Sequence, residues 1–223
     1  MVLKVRETLV CQRTQLVNAL RGHAAEFGVI AAKGIRQIPP LLEAIAAETA
    51  IPSDAREMLA LFGQEIEHLD SRLKAIEVKL IAMHKANPIS RLLATIPGIG
   101  PIIALTLAIE VDPAAFKSGR HLAAWLGLAP KEHSTAGKQR MGGISRAGNE
   151  RLRQLLVTGA TAVIKVATRP GNKLATDWLL KLLQRRPRKL AAVALANKMA
   201  RTAWAMMTSG EAYRHPPVAA VSA

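Results

Sequence analysis

Apolar residues recur along most of this chain at helical spacing. In residues 3–27, Leu3, Val10, Val17 and Ala24 lie seven apart with Leu9, Leu16 and Leu20 beside them, which predicts a helix. Gly28, Gly34 and Pro39–Pro40 interrupt the pattern. A short apolar segment, Leu41–Ala50, follows and ends near Pro52, and Ser53 or Asp54 can cap what comes next. That next helix has the clearest periodicity: Leu59, Phe62, Ile66, Leu69, Leu73, Ile76, Leu80 and Met83 alternate spacings of three and four. This is an a/d seam with charged residues on the other faces. It suits a coiled-coil hairpin with residues 3–27, pairing between chains, or an ordinary bundle helix.

Asn87–Pro88 ends the seam and marks an expected boundary between a helical arm (1–87) and a second domain (88–215). The segment Thr95-Ile96-Pro97-Gly98-Ile99-Gly100-Pro101 separates two helical patterns over about 91–111. Helix, PGIG turn and helix look like a helix-hairpin-helix element, in which Gly98, Gly100 and the following helix N-terminus would offer backbone N–H groups to a phosphate. A plain corner between antiparallel helices is the alternative. Further helices are expected at His121–Leu128 (Leu122, Trp125 and Leu126 inward), Glu150–Val166, and about Lys189–Met207 with Leu190, Val193, Ala194, Asn197, Ala200 and Trp204 inward. The end of the chain, 216–223, is expected to be disordered. The fold class is therefore all-α.

Composition supports that class and redirects attention to charge. Half the residues are hydrophobic but only 3% are aromatic, so the core is expected to be Leu, Ala, Ile and Val. Residues 1–130 carry 14 Lys/Arg against 12 Asp/Glu, whereas 131–223 carry 17 against 4. Such asymmetry points to a polyanion facing the second half. Cys11 is the lone cysteine, which excludes a disulfide framework or a cysteine metal site within this sequence. A reducing cytoplasm is the expected compartment, and no apolar run approaches bilayer length.

The richest stretch is Leu126–Arg153, which mixes five glycines, three hydroxyls and six Lys/Arg. Glycine lets backbone approach a polyanion closely. Lys131, Lys138, Arg140, Arg146, Arg151 and Arg153 could then neutralise phosphates. Arg151 and Arg153 fall in the first turn of a helix, where the dipole disfavours cations, and an external anion would relieve that cost. Carboxylates are too sparse for a metal nuclease, so no metal site is expected here. A hydroxyl nucleophile needs a base or stabilising cations. Ser134 and Thr135 follow His133 and precede Lys138 and Arg140; the same residues also suit a simple turn. Ser145 reads as a helix cap or a phosphate ligand.

Three ordered blocks, IPGIGPIIALTLAIEV, AAFKSGRHLAAWLGLAPKEHSTAGKQRMGGISRAGNERLRQLLVTGA and ALANKMARTAWAM, together resemble the C-terminal half of insertion-sequence 110/1111-type transposases. The resemblance implies a mobile-element recombinase that acts on DNA, is guided by an element-encoded RNA, and uses a serine nucleophile just after an LGLxP motif. Here that position falls on Ser134, with Thr135 as the fallback; Ala136 stands where the family's turn usually has glycine. Lys198 and Arg201, in the last block, join Gly98, Gly100, Lys138, Arg140, Ser145, Arg146, Arg151 and Arg153 as expected nucleic-acid contacts. In the family Mg2+ belongs to an acidic RNase H-like domain, which is expected to be missing ahead of the helical arm here. The chain is therefore expected to be a partial transposase, nucleoid-associated, self-associating through its heptads, and unable to transpose alone. Two rival expectations are a noncatalytic DNA- or RNA-binding protein and an oligomerisation module.

Overall fold

The computed structural model describes residues 1–135, 140–169, 172, 174 and 176–214, and only the backbone of Met141. Lys138 and the expected disordered end at 216–223 lie outside the described residues. The chain forms two compact units, Met1–Leu80 and Ile81–Ala223. The division falls inside a continuous helix, a few residues ahead of the expected boundary at 87/88, because the helix runs through to Ala86 without a break.

The first unit contains α1 (Val2–Glu26), α2 (Ile38–Ala47) and most of α3 (Ser53–Ala86). Val17, Leu20 and Ala24 of α1, Ile38, Leu41 and Ile45 of α2, Ile51, and Leu59 and Ile66 of α3 make one core. A Cβ on Gly63 would lie 2.7 Å from Leu42 Cδ1, so the glycine admits α2 against α3. Arg6 pairs with Glu77 at 2.8 Å and Arg13 with Asp70 at 2.5 Å. One heptad up α1 thus matches one heptad down α3, and the two helices run antiparallel. The seam positions Leu59, Ile66, Leu69, Leu73 and Leu80 are buried within this single chain.

The second unit adds α4 (Pro88–Leu93), α5 (Pro101–Glu110), α6 (Gly119–Trp125), α7 (Glu150–Ala167), α8 (Asp177–Arg185) and α9 (Arg188–Ser209). Side-chain caps start four of them: Asn87 accepts from Ser90 N–H, Ser118 from His121, Asn149 from Leu152 and Thr176 from Leu179. The core joins Leu93, Ile96 and Ile99 around the PGIG turn to Leu107, Leu122, Leu126, Leu152, Leu156 and an alanine-rich face of α9. Ala191, Ala192, Ala196, Ala200 and Ala203 allow α9 to approach α7 and α6 closely.

Details differ from expectation. Leu190 is 54% exposed, because the inward face of α9 begins at Ala191 and Ala192. Trp125 is also exposed, its ring meeting Phe116 edge-on at 5.5 Å. Helix α8 was not anticipated. Neither was an antiparallel hairpin, β1 (Pro130–Glu132) and β2 (Met141–Ile144), paired Pro130 to Ile144 and Glu132 to Met141 with an irregularity between. The class remains all-α: the hairpin's two short strands are the only sheet among the described residues. Among the described residues no helix is long and apolar enough to cross a membrane.

Candidate nucleic-acid interface

The hairpin holds most of the chemistry anticipated from the sequence, and its base is tightly pinned. Arg146 N–H donates to Gly127 O at 3.2 Å, and Ser145 N–H to Ala129 O at 2.8 Å. Across the same neck, Arg153 Nη1 donates to Leu126 O at 2.9 Å and to Ala147 O at 2.8 Å. One guanidinium nitrogen therefore ties the chain just before β1 to the chain just after β2. Two glycines make the neck feasible. At Gly127 (φ +70) a Cβ would stand 2.4 Å from Ala147 O, and at Gly148 (φ +68) one would stand 1.7 Å from Trp125 O. Both the positive φ and the closeness exclude a side chain.

This arrangement corrects the expectation for Arg153. Only 7% exposed, it holds backbone carbonyls and is not placed to meet a phosphate. Arg151 likewise has an internal partner: its guanidinium lies 3.3 Å from Glu110 Oε1, while Asn149 Nδ2 donates to Glu110 Oε2 at 3.3 Å. Glu110, from the end of α5, supplies beside the N-terminus of α7 the negative charge that the sequence reading assigned to an external anion. Ser145 is not the cap of α7; that is Asn149, and Ser145 Oγ accepts from Ala147 N–H at 3.4 Å in a local turn.

Past the strands, the exposed end of the hairpin displays His133, Ser134, Thr135 and Arg140. His133 N–H donates to Arg140 O at 2.8 Å, and Arg140 N–H donates to Ser134 Oγ at 3.3 Å. Among the described residues Ser134 is thus an exposed hydroxyl that accepts one backbone hydrogen bond, from Arg140 N–H. No hydrogen bond joins the His133 ring to that hydroxyl among the described residues. Lys131 and Arg140 are exposed on the same hairpin, and Arg146 is exposed at its neck, held at φ +58, rare for a residue with a side chain.

The two glycines of the PGIG turn have separate fates. Gly98 (φ +88) faces α7, where a Cβ would lie 2.9 Å from Gly159 O; Gly159 in turn faces Gly98 O at 2.1 Å. Its bareness serves packing. Gly100 is exposed, with nothing within 4 Å of a Cβ position, and precedes α5.

Lys198 and Arg201 line a groove of about 980 Å³ on α9, with Arg120, Arg214, Trp178 and Tyr213 among its walls. Lys198 Nζ stands 4.5 Å from the centre of the Trp178 ring, a cation–π contact. Burial pushes the Tyr213 hydroxyl pKa above its ordinary value. Asn197 also lines the groove and donates to Leu128 O at 3.3 Å, two residues ahead of β1. Arg120 and Trp178 leave no signal in the sequence, since only the packing of α6, α8 and α9 brings them to one groove with Asn197. Among the described residues no three His, Cys, Asp or Glu side chains converge as a metal site.

Comparison with known proteins supplies a family. Residues 90–175 match the Transposase IS116/IS110/IS902 family model, covering the PGIG turn, the hairpin and α7. The chain is 52% identical over 215 residues to a putative transposase, y4pF/y4sB, of Sinorhizobium fredii, an alignment taking in 96% of this chain and 56% of that protein. It is 43% identical to a probable family 20 transposase of Pseudomonas aeruginosa, over 95% of this chain and 63% of that one. Against the transposase for insertion sequence element IS1111A of Coxiella burnetii the figures are 37%, 96% and 59%. The chain thus spans 56% to 63% of the length of these curated relatives, under two thirds of each. Within that span, the chain belongs to the IS110/IS1111-type transposases.

Proposed function

We propose that this chain is the DNA-handling portion of a bacterial mobile-element transposase, with Ser134 as a nucleophile presented on the β1–β2 hairpin. The observation that carries the reading is an exposed serine hydroxyl on a basic hairpin whose neck is fixed to the core by Arg153. Resemblance and relatedness supply the reaction class; rigidity and charge supply its plausibility at this site.

In this reading Ser134 Oγ attacks the phosphorus of a scissile phosphodiester. An Oγ–P bond forms while the P–O bond to one deoxyribose breaks. The hydroxyl proton passes to a base, and the departing deoxyribose oxygen takes up a proton. Arg140 N–H, already on Oγ, stabilises the negative charge that develops as the proton leaves, Lys131 and Arg140 on the same hairpin offset that of the phosphate, and Arg146 at the neck would meet the strand further along. Thr135 is the alternative hydroxyl, more hindered by its methyl group. Mg2+, in this reading, is held by acidic groups outside the described residues. An element-encoded guide RNA would share the basic second unit with DNA. Self-association would use a surface other than Leu59, Ile66, Leu69, Leu73 and Leu80 of the α3 seam, which are buried within the chain.

A noncatalytic nucleic-acid-binding protein remains the second reading, favoured by the missing bond between the His133 ring and Ser134. The two separate on a suicide DNA substrate, offered to the chain together with the N-terminal portion of an intact relative. A phospho-linked peptide at Ser134, lost in Ser134→Ala while DNA binding persists, supports the nucleophile. Binding without any adduct supports the second reading. An adduct at Thr135 moves the nucleophile by one residue.

A further inference from the structure

The α9 groove brings aromatic rings and cations together. The sequence contains only three Trp, one Tyr and three Phe. Trp178, Trp204 and Tyr213 all line this one groove. Trp204 is held in place by its indole N–H, which donates to Pro113 O at 3.1 Å. Trp178 is 39% exposed. Among the described residues Arg120, Lys198 and Arg201 face no carboxylate at ion-pair distance, whereas Arg214 is matched by Glu211 at 3.0 Å.

Each feature narrows the ligand. Three unmatched cations call for a polyanion. A duplex satisfies that demand through its phosphates, but its bases are stacked on each other and cannot use an aromatic ring. An unpaired strand uses both, phosphates on the cations and bases on the ring. About 980 Å³ is at the upper end of the range for drug-sized ligands, enough for more than one nucleotide unit. Lys198, now over the indole, has three rotatable donors on a flexible stem and can swing to a phosphate when a base takes the ring. The Asn197 bond to Leu128 ties the groove wall to the approach to β1, so a strand held here lies on a helix bonded to the chain that leads into the hairpin.

We propose that the groove of Arg120, Trp178, Lys198 and Arg201 is a binding site for an unpaired nucleic-acid strand, with Trp178 as its stacking platform. This rests on the reading of the second unit as a nucleic-acid-binding one, and it adds a site separate from Ser134.

The test uses the full chain, as wild type, Trp178→Ala, Trp178→Phe and Lys198→Ala/Arg201→Ala, with helicity and melting checked by circular dichroism. Binding is read by fluorescence anisotropy on oligo-dT, oligo-rU and a DNA duplex of equal length. Trp178→Ala is expected to weaken binding of an unpaired strand by about 5- to 100-fold, as loss of one base stack does. Duplex binding should change less than about twofold, and Trp178→Phe should recover most of the loss, because phenylalanine stacks and a merely structural role would not be rescued this way. A loss confined to oligo-rU assigns RNA, one confined to oligo-dT assigns DNA, and either supports the site. Equal loss on strand and duplex, or no loss on any probe that the wild type binds, overturns it. If the wild type binds none of the three probes, the broader nucleic-acid reading fails instead.

Discussion

The two compact units of this chain use charge in opposite ways. Met1–Leu80 holds 10 Lys/Arg and 10 Asp/Glu, while Ile81–Ala223 holds the other 21 and 6, so the entire +15 belongs to the second unit. In the first, charges meet each other: Arg6 with Glu77 and Arg13 with Asp70, one heptad apart along antiparallel helices. In the second, the two basic residues at the start of α7 are matched internally, by Glu110 and by backbone carbonyls, and most of the rest are exposed. A neutral arm needs only itself. A unit carrying +15 is stabilised by a polyanion, because its own cations repel each other.

The largest effect should come from the second unit's neck. Gly148→Ala puts a Cβ within 1.7 Å of Trp125 O at a positive φ, and should cost about 4 kcal/mol or prevent folding of that unit. The matching change in the neutral arm, Gly22→Ala, meets nothing within 4 Å and should stabilise its helix slightly, by about 0.5–1 kcal/mol. Thermal unfolding of the two variants checks the contrast. Similar melting for both would remove the argument that the hairpin neck is sterically fixed.

Arg153→Met comes next. It leaves the carbonyls of Leu126 and Ala147 without their buried donor, and should cost about 2–3 kcal/mol. Proteolysis should then cut near the hairpin before it cuts the arm. Unchanged protection would mean that the glycine contacts alone hold the neck.

Charge removal sharpens the comparison in solution. Lys198→Ala and Arg201→Ala should each lower the salt slope of DNA binding by about one, whereas Lys74→Ala and Lys79→Ala on exposed positions of α3 should leave it unchanged. A drop from the α3 changes would show that the neutral arm also contacts DNA. The smallest effect belongs to the arm's own pairs. Arg13→Ala, removing a part-exposed ion pair, should cost about 0.5–1 kcal/mol and shift melting by a few degrees at most.

The helices were legible because their signal is local. The sevenfold recurrence of Leu3, Val10, Val17 and Ala24, the α3 seam, and the Leu152-to-Val163 face of α7 each arise from burial on one side of a helix. The hairpin was not, since Pro130 and Met141-Gly142-Gly143 have little strand propensity. It forms because Arg153, Gly127 and Gly148 pin its two ends, and those residues are spread over more than twenty positions. For the same reason the inward turn of Arg153 leaves no local signal. Charge in a sequence says that a group must be neutralised, and only packing says by what.

The sequence by itself determined an all-α chain, the heptad seam of α3, the imbalance of charge and membership in a transposase family, because each is a property of periodicity, composition or motif order. Tertiary structure decided the rest. It put Ser134 on an exposed hairpin, turned Arg153 inward to carbonyls, used Gly98 for contact with Gly159, and gathered Arg120, Trp178 and Lys198 into one groove. Those outcomes depend on which distant atoms come within about 3 Å, a distance no local pattern encodes.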